Sequence, residues 1–220
     1  MKNACRLLVI IVAAFILILK PEPVQAASDL RSFLMAEAES YLAAYLHRDY
    51  ETCLGMMGGG IVNDLGGKIA VLNHYHATEE ALKLHHMKLE TMTVEEPGPV
   101  VSDGAARQFV VIPEKHCYSA KDGNYILNSY ILAVSENGGR SWNMLEGSWR
   151  ISEHIKNKNL LLYDRLKLPV RKLYFADDPK IMMLEKGGGF ITPPETIEYK
   201  QRLRQRGNPP APQPKRPGSY

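Results

Sequence analysis

Cysteine is scarce in this chain, and its scarcity narrows the chemistry. Three cysteines in 220 residues, with no Cys-x-x-Cys pair and no Cys/His spacing of a zinc site, exclude a disulfide-dense scaffold and a thiolate metal centre. Neither sign of charge dominates: the formal net charge is +3, too small to point to a nucleic-acid partner. Phosphate-binding loops are also missing. Six glycines crowd residues 55–67, but Val62 stands at the first Gly position of a Walker loop and Ile69 follows Gly67-Lys68 where a hydroxyl belongs. Gly58-x-Gly60 is followed by Asn63 where a dinucleotide fingerprint needs its third Gly. Residues 55–67 read as a flexible connection, and no cofactor or metal is expected.

The longest apolar run lies at the N-terminus. Lys2 and Arg6 precede an uninterrupted apolar stretch over residues 7–19, and residues 21–26 end in Val-Gln-Ala, the pattern of a secretion signal cleaved after Ala26. As a helix the stretch would reach only about 20 Å, against a hydrocarbon core of about 30 Å. A secreted or periplasmic address is therefore expected, with membrane contact left to an uncleaved signal or to the tail. Residues 186–220 hold seven Lys/Arg against two Glu, and the first 26 hold three against one, which leaves residues 27–185 at −4. In an oxidising compartment Cys53 and Cys117 either pair or remain buried thiols.

Periodicity supplies the elements. Leu30, Phe33, Leu34, Ala38, Tyr41, Leu42 and Tyr45 follow helical spacing, which predicts a helix over 29–47. Asp49 is placed to cap a short helix carrying Tyr50, Cys53, Leu54 and Met57. Leu65, Ile69, Leu72, Tyr75 and Leu82 predict a third helix from 65 to 84. His74, His76, His85 and His86 cluster at its end, but residues two apart on a helix diverge, so they do not converge on a metal. The period then becomes extended. Strands are predicted over 87–94, 106–118, 125–134 and 140–147, joined by short turns into an antiparallel meander, with Pro113 marking a bulge or an edge. Ser152 is the expected cap of a fourth helix ending before Pro169. Residues 169–186 carry apolar side chains without clear period and read as an extension docked on the body. From 187 to 220, seven prolines and little apolar content read as a basic disordered tail, with one helical patch near 194–205. The expected layout is a signal segment (1–26), an α+β domain (27–168), the extension and the tail.

The turn Ser135-Glu136-Asn137-Gly138-Gly139-Arg140-Ser141-Trp142 is a folding device. Asn and Gly tolerate positive φ, so Asn137, Gly138 and Gly139 make the bend and Trp142 packs. It is similar to the Asp-box hairpin of sialidase-type propellers, but Asn137 replaces the Asp and there is one copy, whereas a propeller needs several blades. Taken together, the first helix, Arg48-Asp49-Tyr50, the helix after Gly66-Gly67-Lys68 and the meander ending in this turn resemble secreted members of the nuclear transport factor 2-like superfamily over residues 29–150. The resemblance implies an α+β cone, its N-terminal helices lying in the concave face of a curved antiparallel sheet around an apolar pocket.

Pocket candidates by position are Tyr41, Tyr45, Tyr75, His76, Glu90, Phe109 and Tyr130. The expected function is a non-catalytic module that binds an apolar small molecule in this pocket, or an envelope protein or a second copy through the sheet face. The resemblance also implies an alternative, since ketosteroid isomerase-like and polyketide cyclase-like relatives move a proton beside a carbonyl. That chemistry needs a tuned carboxylate or imidazole in an apolar cavity, for which Tyr45, His76, Glu90 and His116 are candidates. The plainer reading has Tyr45 in the core and His76, Glu90 and His116 in solvent.

Overall fold

Asp49 turns the first corner. Its carboxylate accepts the Thr52 N–H at 3.2 Å and the Thr52 hydroxyl at 2.7 Å, so helix α2 (Tyr50–Met57) starts at once where α1 (Pro23–Leu46) ends. The computed structural model describes residues 23–104, 106–186, 189–191, 196–198 and 200–202. Residues 1–22, where most of the expected signal segment falls, and most of the tail lie outside the described residues. α1 begins six residues before the predicted start, so the expected cleavage point after Ala26 falls in its first turn. Among the described residues no helix is long and apolar enough to cross a membrane.

The glycine-rich connection holds a short helix instead of a flexible loop, α3 (Gly59–Asp64), followed by α4 (Lys68–Leu84). Gly58 and Gly67 precede these helices at φ 76° and 88°, and a Cβ on Gly58 would stand 2.6 Å from the Asn143 side chain. The glycines thus make two tight junctions that a branched residue would strain. On α4, Val71 and Tyr75 are buried, whereas Ile69, expected on the same face, is 75% exposed.

The sheet contains eight strands among the described residues: β1 (Lys88–Val94), β2 (Val101–Ser102), β3 (Gln108–Ala120), β4 (Gly123–Ser135), β5 (Asn143–Glu146), β6 (Lys172–Phe175), β7 (Asp178–Lys186) and β8 (Gly189–Ile191). β3 and β4 pair antiparallel over their whole length through the two-residue turn Lys121-Asp122. β1 takes one half of β3's free side and β2 the other; β5 pairs residues 131–134 of β4 and β6 pairs residues 125–128. The expected antiparallel sheet is therefore present, and residues 169–186, expected as an extension docked on the body, extend it as β6 and β7. Pro113 sits within β3 where β4 alone pairs with it, a local edge of the kind expected. Its carbonyl accepts from Glu95 N–H at 2.8 Å, just where β1 has left and β2 has not begun, so the missing proline N–H faces the gap between them.

Alternation divides the sheet into two faces. Val110, Ile112, Ile131, Ala133 and Met144 turn toward α1, α2 and α4, where Leu34, Ala38, Tyr41 and Leu42 complete the core. Phe109, Tyr130, Leu132 and Val134 point the other way, beneath α5 (Trp149–Lys158) and α6 (Leu160–Leu166). The Tyr130 hydroxyl meets Ser152 Oγ at 2.9 Å. Helices cover both faces, and Ser152 is a contact of α5. The cap is Ser148, which accepts from Ile151 N–H, and Asn159 caps α6 by accepting from Leu162 N–H.

Ser135 and Asn137 organise the β4–β5 turn. Asn137 Oδ1 accepts the N–H groups of Arg140 and Ser141 at 3.1 and 2.9 Å, Ser135 Oγ accepts from Gly139 N–H at 2.8 Å, and Trp142 Nε1 donates to Gly139 O. Gly138 and Gly139 hold φ 73° and 88°. Cys53 and Cys117 are both free. Cys53 is buried on α2, whereas Cys117 alternates with His116 and Tyr118 and so lies on the face opposite that helix.

Candidate functional site

Helix α4 crosses the sheet without closing on it. Ala70, Ala77 and Ala81 share one side of the helix, and their small side chains leave a cavity of about 830 Å³ between α4 and the strands. Its apolar wall comes from Val71 and Leu82 on the helix and from Leu127, Leu173 and Met183 on the sheet. The floor is charged: Glu146, Arg171 and Glu185 line it, with Tyr118 beside them.

Strand register explains why these groups meet. Glu114 on β3 faces Ser129 on β4. The Asn128 to Lys172 pairing, carried one residue further, sets Arg171 beside Ser129, and Glu185 N–H donates to Arg171 O at 3.0 Å. A polar stripe thus runs across four strands on the cavity face. Arg171 Nη1 lies 3.1 Å from Glu185 Oε1, and Nη2 lies 3.7 Å from Glu146 Oε1. One register step away, His116 Nδ1 is 3.2 Å from the Tyr118 hydroxyl and Nε2 is 3.1 Å from Glu114 Oε1.

Burial strains the electrostatics of this stripe. Among the described residues, every buried side-chain polar atom without a hydrogen bond belongs to it: both oxygens of Glu114, Nε2 of His116, Oγ of Ser129 and Nε of Arg171. The His116–Glu114 contact is close but off the line of a hydrogen bond. Burial raises the Glu146 carboxyl above its ordinary range; Arg171 opposes the rise and Glu114 adds to it. The Tyr118 phenol is pushed up by burial and then by Glu146. His74, on the helix side of the cavity, is held below the usual imidazole value by burial, then by Arg150 and Arg171.

Of the pocket candidates read from the sequence, Tyr75 alone lines the cavity. Tyr41 is buried behind it, its hydroxyl 2.9 Å from that of Tyr75, and Tyr45 packs edge-on against Tyr75 at 5.5 Å. Phe109 and Tyr130 belong to the opposite face of the sheet, because their odd-even position on β3 and β4 reverses that of Val110 and Ile131. His76 faces solvent beside Glu79. Glu90 is exposed, accepting from Ser119 Oγ at 2.6 Å and from Lys88 at 2.9 Å, and these two bonds lower its carboxyl. His116, read as solvent-facing, is buried at 1% exposure. The sequence held a signal for it: Glu114, His116 and Tyr118 continue the alternation of Val110 and Ile112 and so share their face. Arg171 and Glu185 lay in a segment without legible period and were not foreseen. Among the described residues, no three His, Cys, Asp or Glu side chains are grouped to hold a metal ion.

Fold and site together define an α+β protein with an antiparallel sheet between helices and a charged-floored cavity under one of them. Comparison of the chain with protein-family models, with curated proteins and with solved structures finds no match in any of the three.

Proposed function

We propose that this protein binds a small molecule with an apolar body and one polar end in the cavity between α4 and the sheet. The cavity carries the reading. Its volume of about 830 Å³ falls within the roughly 300–1,000 Å³ usual for ligand pockets, and its apolar wall with a few convergent polar groups has their composition. The address proposed for it, secreted or periplasmic, rests on residues 1–26. A protein partner or second copy against the open part of the sheet has less support, since Lys115, Asn128 and Lys172 interrupt that face.

Native mass spectrometry of the secreted chain, followed by melting in the presence of lipophilic compounds, tests the reading. A co-purified ligand or a rise in Tm that Ala81→Trp abolishes is expected. A chain that carries nothing, and whose Tm no compound moves, refutes it.

A second reading, proton transfer beside a carbonyl, is favoured by the raised Glu146 carboxyl at the floor and by the Tyr118–His116–Glu114 chain behind it. Such an activity would exchange the α-protons of cyclic ketones in heavy water, and Glu146→Gln would abolish the exchange. No exchange above solvent background by the wild-type chain removes this reading.

A further inference from the structure

We infer that the polar end of the molecule taken by this cavity is a cationic amine. The inference rests on the binding reading above and concerns the charge of the floor. Three carboxylates, Glu114, Glu146 and Glu185, share the stripe with one fixed cation, Arg171. Around the mouth, Asp122 offsets Arg150, and burial, with Arg150 and Arg171 nearby, disfavours the charged form of His74. Even with His116 set against Glu114 at 3.1 Å, Glu146 and Glu185 have one guanidinium between them, in a setting where an uncompensated carboxylate is costly.

A second observation comes from Glu114. Its side chain is fully buried, both its oxygens lack a hydrogen-bond donor, and the neighbouring Ser129 hydroxyl is unpartnered. Glu114 and Ser129 lie behind the lining; Glu146, which does line the cavity, has one long ion pair, 3.7 Å from Arg171 Nη2, and an ammonium group, with three donors and no acceptor, suits that carboxylate. An anionic end group fits poorly. Both terminal nitrogens of Arg171 are already engaged by Glu146 and Glu185, so a carboxylate would have to displace one of them and deepen the negative excess. Glu146 is the carboxylate that the amine meets directly from the cavity. Glu114, on β3 and separated from Glu146 on β5 by β4, acts on it through the field it already exerts on Glu146.

The experiment titrates the full secreted chain with decylammonium, decanol and decanoate, each below its micelle concentration, by calorimetry at fixed ionic strength. The three probes share an apolar body and differ in the end group. Decylammonium is expected to bind about tenfold or more tightly than decanol, with decanoate weakest, and Ala81→Trp should abolish all three isotherms. Glu146→Gln should lower the ratio of ammonium to decanol affinity toward one. Equal affinities for the ammonium and the alcohol, tighter binding of the carboxylate, or an ammonium isotherm that survives Ala81→Trp overturns the inference while the binding reading stands or falls on decanol. If none of the three probes binds, the binding reading is overturned and this inference with it.

Discussion

Replacing Arg171 with Met keeps most of the apolar stem and removes the guanidinium that two largely buried carboxylates share. Arg171 is 14% exposed, and its partners Glu146 and Glu185 are 17% and 9% exposed. Breaking a buried pair from one side costs about 3–5 kcal/mol. The contact to Glu146 is long at 3.7 Å, so we expect the lower end, about 3 kcal/mol at neutral pH. With a urea slope of about 2 kcal/mol per molar, the midpoint falls by about 1.5 M. The sign of the pH dependence follows from Glu146. Its folded-state pKa lies above the ordinary 4.5, so the folded chain holds this proton more tightly than the unfolded chain. Stability from this group is present at low pH and falls as pH rises from 4.5 through the folded value. Arg171 is the strongest influence opposing the raised value, and losing it extends the falling window upward. The gap between Arg171→Met and wild type is thus widest above neutrality and narrows toward pH 4.5. Urea titrations at pH 5 and pH 7.5 measure it. A cost under about 1 kcal/mol at pH 7.5, within the range of ordinary surface changes, or a cost equal at the two pH values, would refute a buried shared cation.

Other consequences are nearer the scaffold. Asn137→Ala removes the acceptor of two backbone N–H groups and should cost about 1–2 kcal/mol in urea unfolding. Gly138→Val, at φ 73° in open space, should cost about 1–2 kcal/mol from backbone strain alone. Gly139→Val should cost at least as much, since its Cβ would stand 2.8 Å from Gln108 Oε1; a variant melting like wild type would show the turn to be misread. Burial pushes the Cys53 thiol up to about 12, so iodoacetamide on the native chain should alkylate Cys117 well before Cys53, as peptide mass mapping would report. Simultaneous labelling, or a Cys53–Cys117 peptide, would contradict the placement of the two thiols on opposite sides of the sheet.

Local chemistry was legible in the sequence wherever one residue decides a backbone geometry. Asp49 announces the cap it makes, and the Asn137-Gly138-Gly139 bend announces its hairpin. Apolar alternation over Val110 and Ile112 announces the long strand. The cavity was less legible because it is built from what does not fill space: Ala70, Ala77 and Ala81 look like ordinary helix formers, and only the distance between α4 and the sheet makes their smallness matter. Tyrosine counting led to the packed core around Tyr41 and Tyr75 and to the wrong face at Tyr130, since bulk predicts burial and says nothing of which layer a side chain joins. The polar floor was hidden for a different reason. Arg171 and Glu185 come from a segment whose register depends on β4, a partner more than forty residues earlier, and no local period encodes that pairing.

β4 changes partners partway along its free side, from β5 to β6, and the stripe of charges lies at this seam. The consequence is kinetic as well as architectural. β6 holds to β4 through only four residue pairs, residues 125–128 with 172–175, while β3 and β4 are zipped over thirteen. The β6–β7 ribbon can therefore peel from the seam as one unit while the rest of the sheet stays closed, and peeling would open the cavity floor, with Arg171 and Glu185, to water. Amide protons of β6 and β7 should exchange through this opening at rates insensitive to low urea, whereas those in the middle of β3 and β4 wait for global unfolding. A ligand clamped on the floor would slow the first class and leave the second unchanged, so the seam is the place where occupancy of the cavity can be timed.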